Sequence, residues 1–349
     1  MSKTSAPPAG IEVEPVTHWV CTHIENVKAP LEFVRIKGGH SNLTYEVGDA
    51  TGRRLVLRRP PLGHLLPTAH DMSREWRFIS AVHPTGVPAP PPLAFCEETD
   101  VTGAPFYVMD FVEGFVLTDP STTARHFDDA ARRGISESFT DVLADLHELA
   151  PDEVGLGDIA RKEGYIARQL KRWYGQWNAS KTRELSAVDE IHDELQEKIP
   201  EQGRARIVHG DYRLGNCITG HDGKIAAVLD WEIATLGDPL ADLGYVLSQW
   251  TQPDEGPATA HRVSPTTASG FISRNELLER YAARSGRDVS QVEFYVAFSH
   301  WKSACIVEGV YARYLGGALD TTGVDLDGLK RSVDLAAAAS RAALDRMEP

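Results

Sequence analysis

The residues of this chain best suited to chemistry gather in one stretch, His209-Gly210-Asp211-Tyr212-Arg213-Leu214-Gly215-Asn216, with Asp230 fourteen positions further on at the end of KIAAVLD. Transfer of a phosphoryl group to a hydroxyl needs a carboxylate that orients the hydroxyl and takes its proton. It also needs oxygen ligands that hold Mg²⁺ against the phosphates. Asp211 suits the first task, and Asn216 and Asp230 suit the second. Arg213 stands two residues beyond the candidate base and carries the charge to meet a γ-phosphate as negative charge develops on it. A metal-hydrolase use of His209 and Asp211 would need more His or Asp ligands, and no further cluster supplies them.

Elements that can position these residues are readable on both sides. Around the loop, RIV, NCIT and KIAAVLD are strand-like, HDG suits a hairpin turn, and the last strand is expected to end on Asp230 itself. Upstream, LEFVRI, LTYEV and RRLVLRR are short β-branched and aromatic runs separated by GGHSN and GDATG, which predicts a three-stranded antiparallel meander after an opening helical segment. Helical spacing of Met72, Trp76, Ile79 and Val82 predicts one amphipathic helix, followed by the breaker-rich VHPTGVPAPPP and two more strands around LAFCE and PFYVMDFV. Beyond Gly114 the pattern is helical, clearest in ESFTDVLADLHELA and again near residues 161–178 and 184–198, and it returns after the loop to the C-terminus, broken by TQPDEGPATAHRVSP. The alanine-rich LAAAASRAAL reads as a surface helix. The expected organisation is a flexible tail over residues 1–15, a nucleotide-binding lobe over 16–113 and a helical catalytic and substrate-binding lobe over 114–349.

The H-x-D-x-x-x-x-N loop followed by a strand-terminal Asp resembles the aminoglycoside phosphotransferase and choline kinase family, from about Leu31 to about Leu315. The spelling VHGDYRLGN, VLDWE and GDPLADLG is similar to the branch of that family associated with acyl-CoA dehydrogenases. The resemblance implies an α+β, protein-kinase-like two-lobe fold, with a small antiparallel sheet bearing one helix and a larger helical lobe. It implies ATP or GTP as donor, Mg²⁺ as cofactor and a small-molecule hydroxyl as acceptor. Trp231 and Glu232 follow Asp230 where protein kinases have Phe and Gly, a position that varies within the family, so the metal role of Asp230 survives. Asp242 is expected to brace the catalytic loop.

On the same resemblance, the turn Lys37-Gly38-Gly39-His40-Ser41-Asn42 covers phosphates with backbone N–H groups and the Ser41 and Asn42 side chains. Arg58 stands where kinases carry a strand lysine, with a permanent charge and a forked donor, and Glu75 on the following helix is its expected partner. The alternative is that Arg59 or Arg58 simply lines the sheet surface and that Glu75 is one more solvated helix charge. Met109, Phe111 and Val112 in YVMDFVEG resemble the hinge that reads the nucleobase. In FYVAFSHWKSACIVEGVYARYLGG, Lys302 or Arg313 would meet an anionic acceptor, whereas Glu232, Asp238 and Glu308 would host a polyamine sugar. The branch ranks hydroxy-acids and hydroxyacyl thioesters slightly ahead of aminoglycosides.

Composition narrows the partners. With 36 basic and 50 acidic residues the formal charge is -14, the wrong sign for a nucleic-acid backbone or an anionic membrane. No run reaches the roughly 18 apolar residues of a membrane helix, and no apolar core follows the first lysine to make an export signal. Cys21, Cys96, Cys217 and Cys305 are too scattered for a zinc knuckle or a disulfide framework and suit the cytoplasm. Oligomeric state is not readable. The alternative to a kinase is a nucleotide-binding pseudokinase acting as scaffold or regulator, which Arg58 alone favours. A flavin-dependent dehydrogenase does not suit the sheet-rich first lobe.

Overall fold

In a computed structural model of the 349-residue chain, the residues described are 8–36, 42–63, 71–255, 263–319 and 321–347. They divide into two units. One comprises the chain up to Glu113 together with Ala226–Glu232, and the other Gly114–Ile225 with Ile233 onward.

The first unit is an antiparallel sheet of β1 (Glu32–Arg35), β2 (Leu43–Gly48), β3 (Arg54–Arg59), β4 (Pro92–Cys96) and β5 (Phe106–Asp110), in the order β1-β2-β3-β5-β4, with helices α1 (Val13–His23) and α2 (Met72–Val82). The expected meander and the two later strands are all present. Successive side chains of a strand point to opposite faces, and β5 shows the consequence. Phe106 meets Trp19 of α1, with ring centroids 5.0 Å apart, while Tyr107 meets Trp76 of α2 at 6.0 Å. Val16, Trp19, Val20, Tyr45, Leu55, Leu57, Phe106 and Val108 form the core beside α1. The flexible tail expected over residues 1–15 does not hold for its last residues. Ile11 is buried in that core and Val13 already begins α1, because the apolar residues among IEVEPVTHWV suffice to anchor the chain.

The second unit is mainly helical. It holds α3 (Pro120–His126), α4 (Asp129–Glu148), α5 (Tyr165–Ser180), α6 (Ser186–Glu197), α7 (Leu240–Gln249), α8 (Arg274–Ser285), α9 (Val292–Leu315) and α10 (Leu326–Asp345). The 24-residue α9 is its central element, packed by α5, α6, α7 and α10. The alanine-rich run in α10 is not a surface feature: Ala336, Ala337, Ser340 and Ala343 are buried, and Ser340 donates to the Ala297 carbonyl of α9 at 2.7 Å. Small side chains let the two helices approach, which composition alone does not disclose. On either side of His209–Asn216 in sequence lie β6 (Arg206–Val208) and β7 (Cys217–Thr219), followed along the chain by β8 (Ile225–Val228) and β9 (Thr235–Gly237). β9, which pairs antiparallel with β6, falls where the sequence reads as the approach to a helix. β8 ends at Val228 instead of continuing to Asp230, because Asp230 has φ 66°, in the left-handed region incompatible with a strand.

Candidate functional site

Within the first unit, strand alternation separates the two candidate arginines. Arg59 turns toward the chain start, where its guanidinium donates to the carbonyls of Gly10 and, at 2.9 Å, Thr102, a structural role. Arg58 lies opposite Tyr107 in the β3–β5 pairing and so turns to the α2 side. Its Nε donates to Glu75 Oε2 at 3.2 Å and its Nη2 to Asp230 Oδ1 at 2.5 Å, with Glu232 Oε2 3.8 Å away. Glu75 occupies the first turn of α2, which Asp71 caps by accepting from Ser73 N and Arg74 N. The Asn42 amide donates to Glu232 Oε2 at 3.2 Å. Arg58 and Glu75 therefore meet as expected, and Glu232 joins them unforeseen.

Three carboxylates thus surround one guanidinium. Burial pushes the Glu75 carboxyl up to about 7, with Arg58 opposing the shift and Asp230 and Glu232 adding to it. Desolvation pulls Arg58 down, but Glu75, Tyr107 and Asp230 outweigh it and hold the guanidinium above its ordinary value. Asp230 keeps 30% of its side chain open to solvent. Excess negative charge and hard oxygen donors fit a divalent cation. Among the described residues no three His, Cys, Asp or Glu side chains form a ready cage. Mg²⁺ does not require one, since it is commonly held by one or two carboxylates, waters and substrate phosphates.

Within the second unit, the catalytic loop follows β6 and turns at Gly210, whose φ of 84° favours glycine and whose absent side chain makes room for Ile233. Asp242 on α7 accepts from His209 N at 2.6 Å and Gly210 N at 2.8 Å, which is the bracing expected of it. Behind it, His147 of α4 lies with Nε2 3.3 Å from Asp242 Oδ2, and its Nδ1 lies 2.7 Å from the Tyr281 hydroxyl. The arrangement suits a neutral ring that donates from Nε2 and accepts at Nδ1. Desolvation lowers the His147 pKa against the pull of Asp242. Burial works to raise the pKa of Asp242, but His147 and the Gly210 amide hold the carboxyl below its ordinary value.

Asp211 is held from three sides. The Tyr245 hydroxyl donates to Oδ1 at 2.5 Å, Asn216 Nδ2 donates to Oδ2 at 2.7 Å, and Arg213 Nε lies 3.3 Å from both oxygens. Asn216 Nδ2 also donates to the Asp211 carbonyl at 2.9 Å, so its amide nitrogen faces the loop and its Oδ1 is the atom left to offer a hard cation. The Arg213 guanidinium folds back over Gly215, where a Cβ would come within 2.2 Å of Nη1. Arg213 thus lies on the candidate base itself.

The remaining expected residues fare unevenly. Ser41 lies outside the described residues. Met109 is buried on β5 opposite Val56. Phe111 does not present its N–H, which donates to the Arg54 carbonyl at 3.3 Å while the Arg54 guanidinium covers its ring at 3.5 Å. Val112, next in the chain, is partly exposed. Glu308 is committed to structure, accepting from Thr182 N at 2.6 Å and from its hydroxyl at 2.7 Å, and Asp238 accepts from the Tyr295 hydroxyl at 2.7 Å. Neither is presented to a polyamine. Arg313 is exposed near the end of α9, about 16 Å along the helix from Lys302 at 1.5 Å per residue, too far for the two to share one small group. Lys302 lies over the rings of Trp173 and Tyr245, at 5.6 Å and 6.0 Å. Tyr245, His147, Tyr281 and Trp173 escape sequence reading, although Tyr245 follows Asp242 by three positions on α7, the spacing of one helix face.

Comparison with known proteins shows the family. The profile of the phosphotransferase enzyme family (APH) matches residues 32–295. The mouse protein acyl-CoA dehydrogenase family member 10 is 35% identical over 291 residues, a match covering 82% of this chain and 27% of that protein; the chain spans about a quarter of that relative's length. A Ralstonia eutropha crystal structure assigned to the aminoglycoside phosphotransferases is 31% identical and superposes with a TM-score of 0.80, covering 95% of this chain and 98% of the other. The amicoumacin kinase hAmiN, solved with AMP-PNP, Ca²⁺ and amicoumacin, shares the fold at a TM-score of 0.61 and 15% identity, covering 94% and 93% of the two chains. Among the described residues no helix is long and apolar enough to cross a membrane. With the family profile spanning most of its length, this chain belongs to the phosphotransferase enzyme family.

Proposed function

We propose that the chain transfers the γ-phosphoryl group of ATP or GTP to the hydroxyl of a small molecule, with Asp211 as the base. The observation that carries this reading is the threefold grip on Asp211 by Tyr245, Asn216 and Arg213, which fixes one carboxylate in a loop otherwise braced by Asp242. Positioning of this kind is the main protein contribution to phosphoryl transfer. Asp211 orients the acceptor hydroxyl and takes its proton as the oxygen–phosphorus bond forms and the bond to the β-phosphate oxygen breaks. Arg213 neutralises charge beside the base. Arg58, joined to Glu75, offers its guanidinium to the nucleotide phosphates, with Asn42 and Ser41 in the covering turn and Met109, Phe111 and Val112 along the base-reading segment. Asn216 and Asp230 are the ligands assigned to Mg²⁺, whose chemistry when bound is to neutralise and orient the phosphates. Residues 16–113 are read as nucleotide-binding and 114–349 as catalytic and acceptor-binding, in a cytoplasmic enzyme with no nucleic-acid or membrane partner. Hydroxy-acids and hydroxyacyl thioesters rank ahead of aminoglycoside-like acceptors, a ranking favoured by the name of the mouse relative.

A mass-spectrometric screen for gain of one phosphate, with both nucleotides and hydroxy-acids, hydroxyacyl-CoAs, amino alcohols and aminoglycosides, tests the reading. Asp211→Asn is expected to lower turnover by about 10²–10⁴-fold with nucleotide affinity retained. Wild-type turnover in that variant would remove Asp211 from its role.

A second reading, a nucleotide-binding pseudokinase, is favoured by the Arg58–Asp230 ion pair, which engages a residue assigned to the metal. Calorimetric binding of Mg·ATP with no phosphorylated product across the whole screen would select it.

A further inference from the structure

Lys302 is a charge without a counter-charge. It stands in the middle of α9, largely buried, and among the described residues no carboxylate lies within ion-pair reach of it. Its neighbours are aromatic: the ammonium lies 5.6 Å from the Trp173 ring of α5 and 6.0 Å from the Tyr245 ring of α7. Trp173 has a second cation over it, the exposed Arg172, 5.0 Å from its ring and likewise without an acidic partner among the described residues. Two unpaired cations on one indole are unexpected in a chain of net charge -14.

The carboxylates that Lys302 feels most are already engaged. Desolvation lowers the Lys302 pKa and Arg172 adds to the shift, while Asp242 and Asp211 oppose it across a distance. Asp242, however, accepts from His147 and the two loop amides, and Asp211 from Tyr245, Asn216 and Arg213. Aromatic faces offset part of the desolvation of an ammonium but leave its three N–H donors without strong acceptors. An incoming anion would supply them. The Tyr245 side chain also fixes where that anion would sit, because its ring faces Lys302 while its hydroxyl donates to Asp211. A molecule that offers a hydroxyl to Asp211 and lies along Tyr245 brings its other end to Lys302.

We infer that Lys302, with Trp173 and Arg172, forms an acceptor subsite for an anionic group, a carboxylate or a phosphate, carried on the same molecule as the hydroxyl. The inference rests on the phosphotransferase reading and narrows its acceptor class. The same two cations oppose polycationic aminoglycosides by charge repulsion.

The test uses the full chain with Mg²⁺ and both nucleotides. The acceptors are a series of hydroxy-acids of three to six carbons, their amides, their CoA thioesters, and their pantetheine thioesters, which lack phosphate. Wild type is expected to favour the charged member of one pair, acid over amide or CoA over pantetheine thioester, by at least tenfold in kcat/KM. Lys302→Met should bring that ratio toward one, and Lys302→Arg should restore most of it. Preference within the first pair identifies a carboxylate, within the second a phosphate. Equal use of charged and neutral members by wild type, or a ratio unchanged in Lys302→Met, overturns the subsite. Calorimetric titration of the same compounds in the presence of Mg·ADP separates binding from transfer. Lys302-dependent binding without phosphoryl transfer supports the subsite and refutes the kinase reading, whereas absence of binding to wild type, or equal binding to wild type and Lys302→Met, overturns the subsite whichever way transfer falls.

Discussion

Tyr245 donates its phenolic hydrogen to Oδ1 of Asp211 at 2.5 Å, so the candidate base is held by a residue on the same helix, α7, whose Asp242 braces the loop that carries it. The backbone of His209 and Gly210 and the side chain of Asp211 thus answer to one helix face. Tyr245→Phe removes the hydrogen bond and keeps the ring under Lys302. It is expected to lower kcat by about tenfold, the worth of one charge-assisted hydrogen bond, with nucleotide KM unchanged. Steady-state kinetics on whichever acceptor the screen identifies reads the split between the two constants.

Arg58 is the cation shared by Glu75, Asp230 and Glu232. Arg58→Met leaves those carboxylates together with no guanidinium between them, at an expected cost of about 3 kcal/mol by urea denaturation. Adding Glu75→Gln should recover part of the loss, because a neutral amide is less costly to bury than an unpaired carboxylate. Additive losses in the double variant would mean that the two residues do not act as a pair.

Gly215 accommodates the guanidinium of Arg213, and a Cβ there would meet Nη1 at 2.2 Å. Gly215→Ala should therefore displace Arg213 and reproduce most of the kinetic loss of Arg213→Ala, with little further loss when the two are combined. Circular dichroism and thermal melts check that the loop variant remains folded.

His147 is fully buried and its pKa is lowered by desolvation, with Asp242 opposing. As pH falls through about 6.5 the unfolded chain takes up a proton on this residue before the folded protein does, so stability at neutral pH is lost on acidification. Asp242, whose folded pKa is lowered, adds a loss in the same direction at more acid pH. Glu75, held at about 7 in the fold, works in the opposite direction over the same range, so the check is the difference between variants: His147→Gln should lose less stability than wild type between pH 6.5 and pH 5 while being less stable at pH 7.5, since the amide does not reproduce both hydrogen bonds of the ring.

Much of this protein is local and therefore legible in sequence. β-branched and aromatic runs bounded by turn residues predict β2, β3 and β5, helical spacing predicts α2, and the spacing of Asp211, Asn216 and Asp230 suggests the chemistry, because each depends on residues a few positions apart. The pairing of Arg58 with Glu75 is read from the resemblance, but that Asp230 and Glu232 share the same guanidinium, and that Arg59 is spent on the Gly10 and Thr102 carbonyls, required the sheet. The end of β8 before Asp230 required the backbone, where a left-handed aspartate replaces the expected strand residue. The partners of the His209–Asn216 loop come from α4 and α7, and those of Lys302 from α5 and α7, separated in sequence by intervals that no periodicity spans. The amino-acid sequence by itself determined the family and most of the elements, through short-range pattern. Only tertiary structure decided which side chains orient the base and which cation is left without a partner, because those are properties of packing between distant segments.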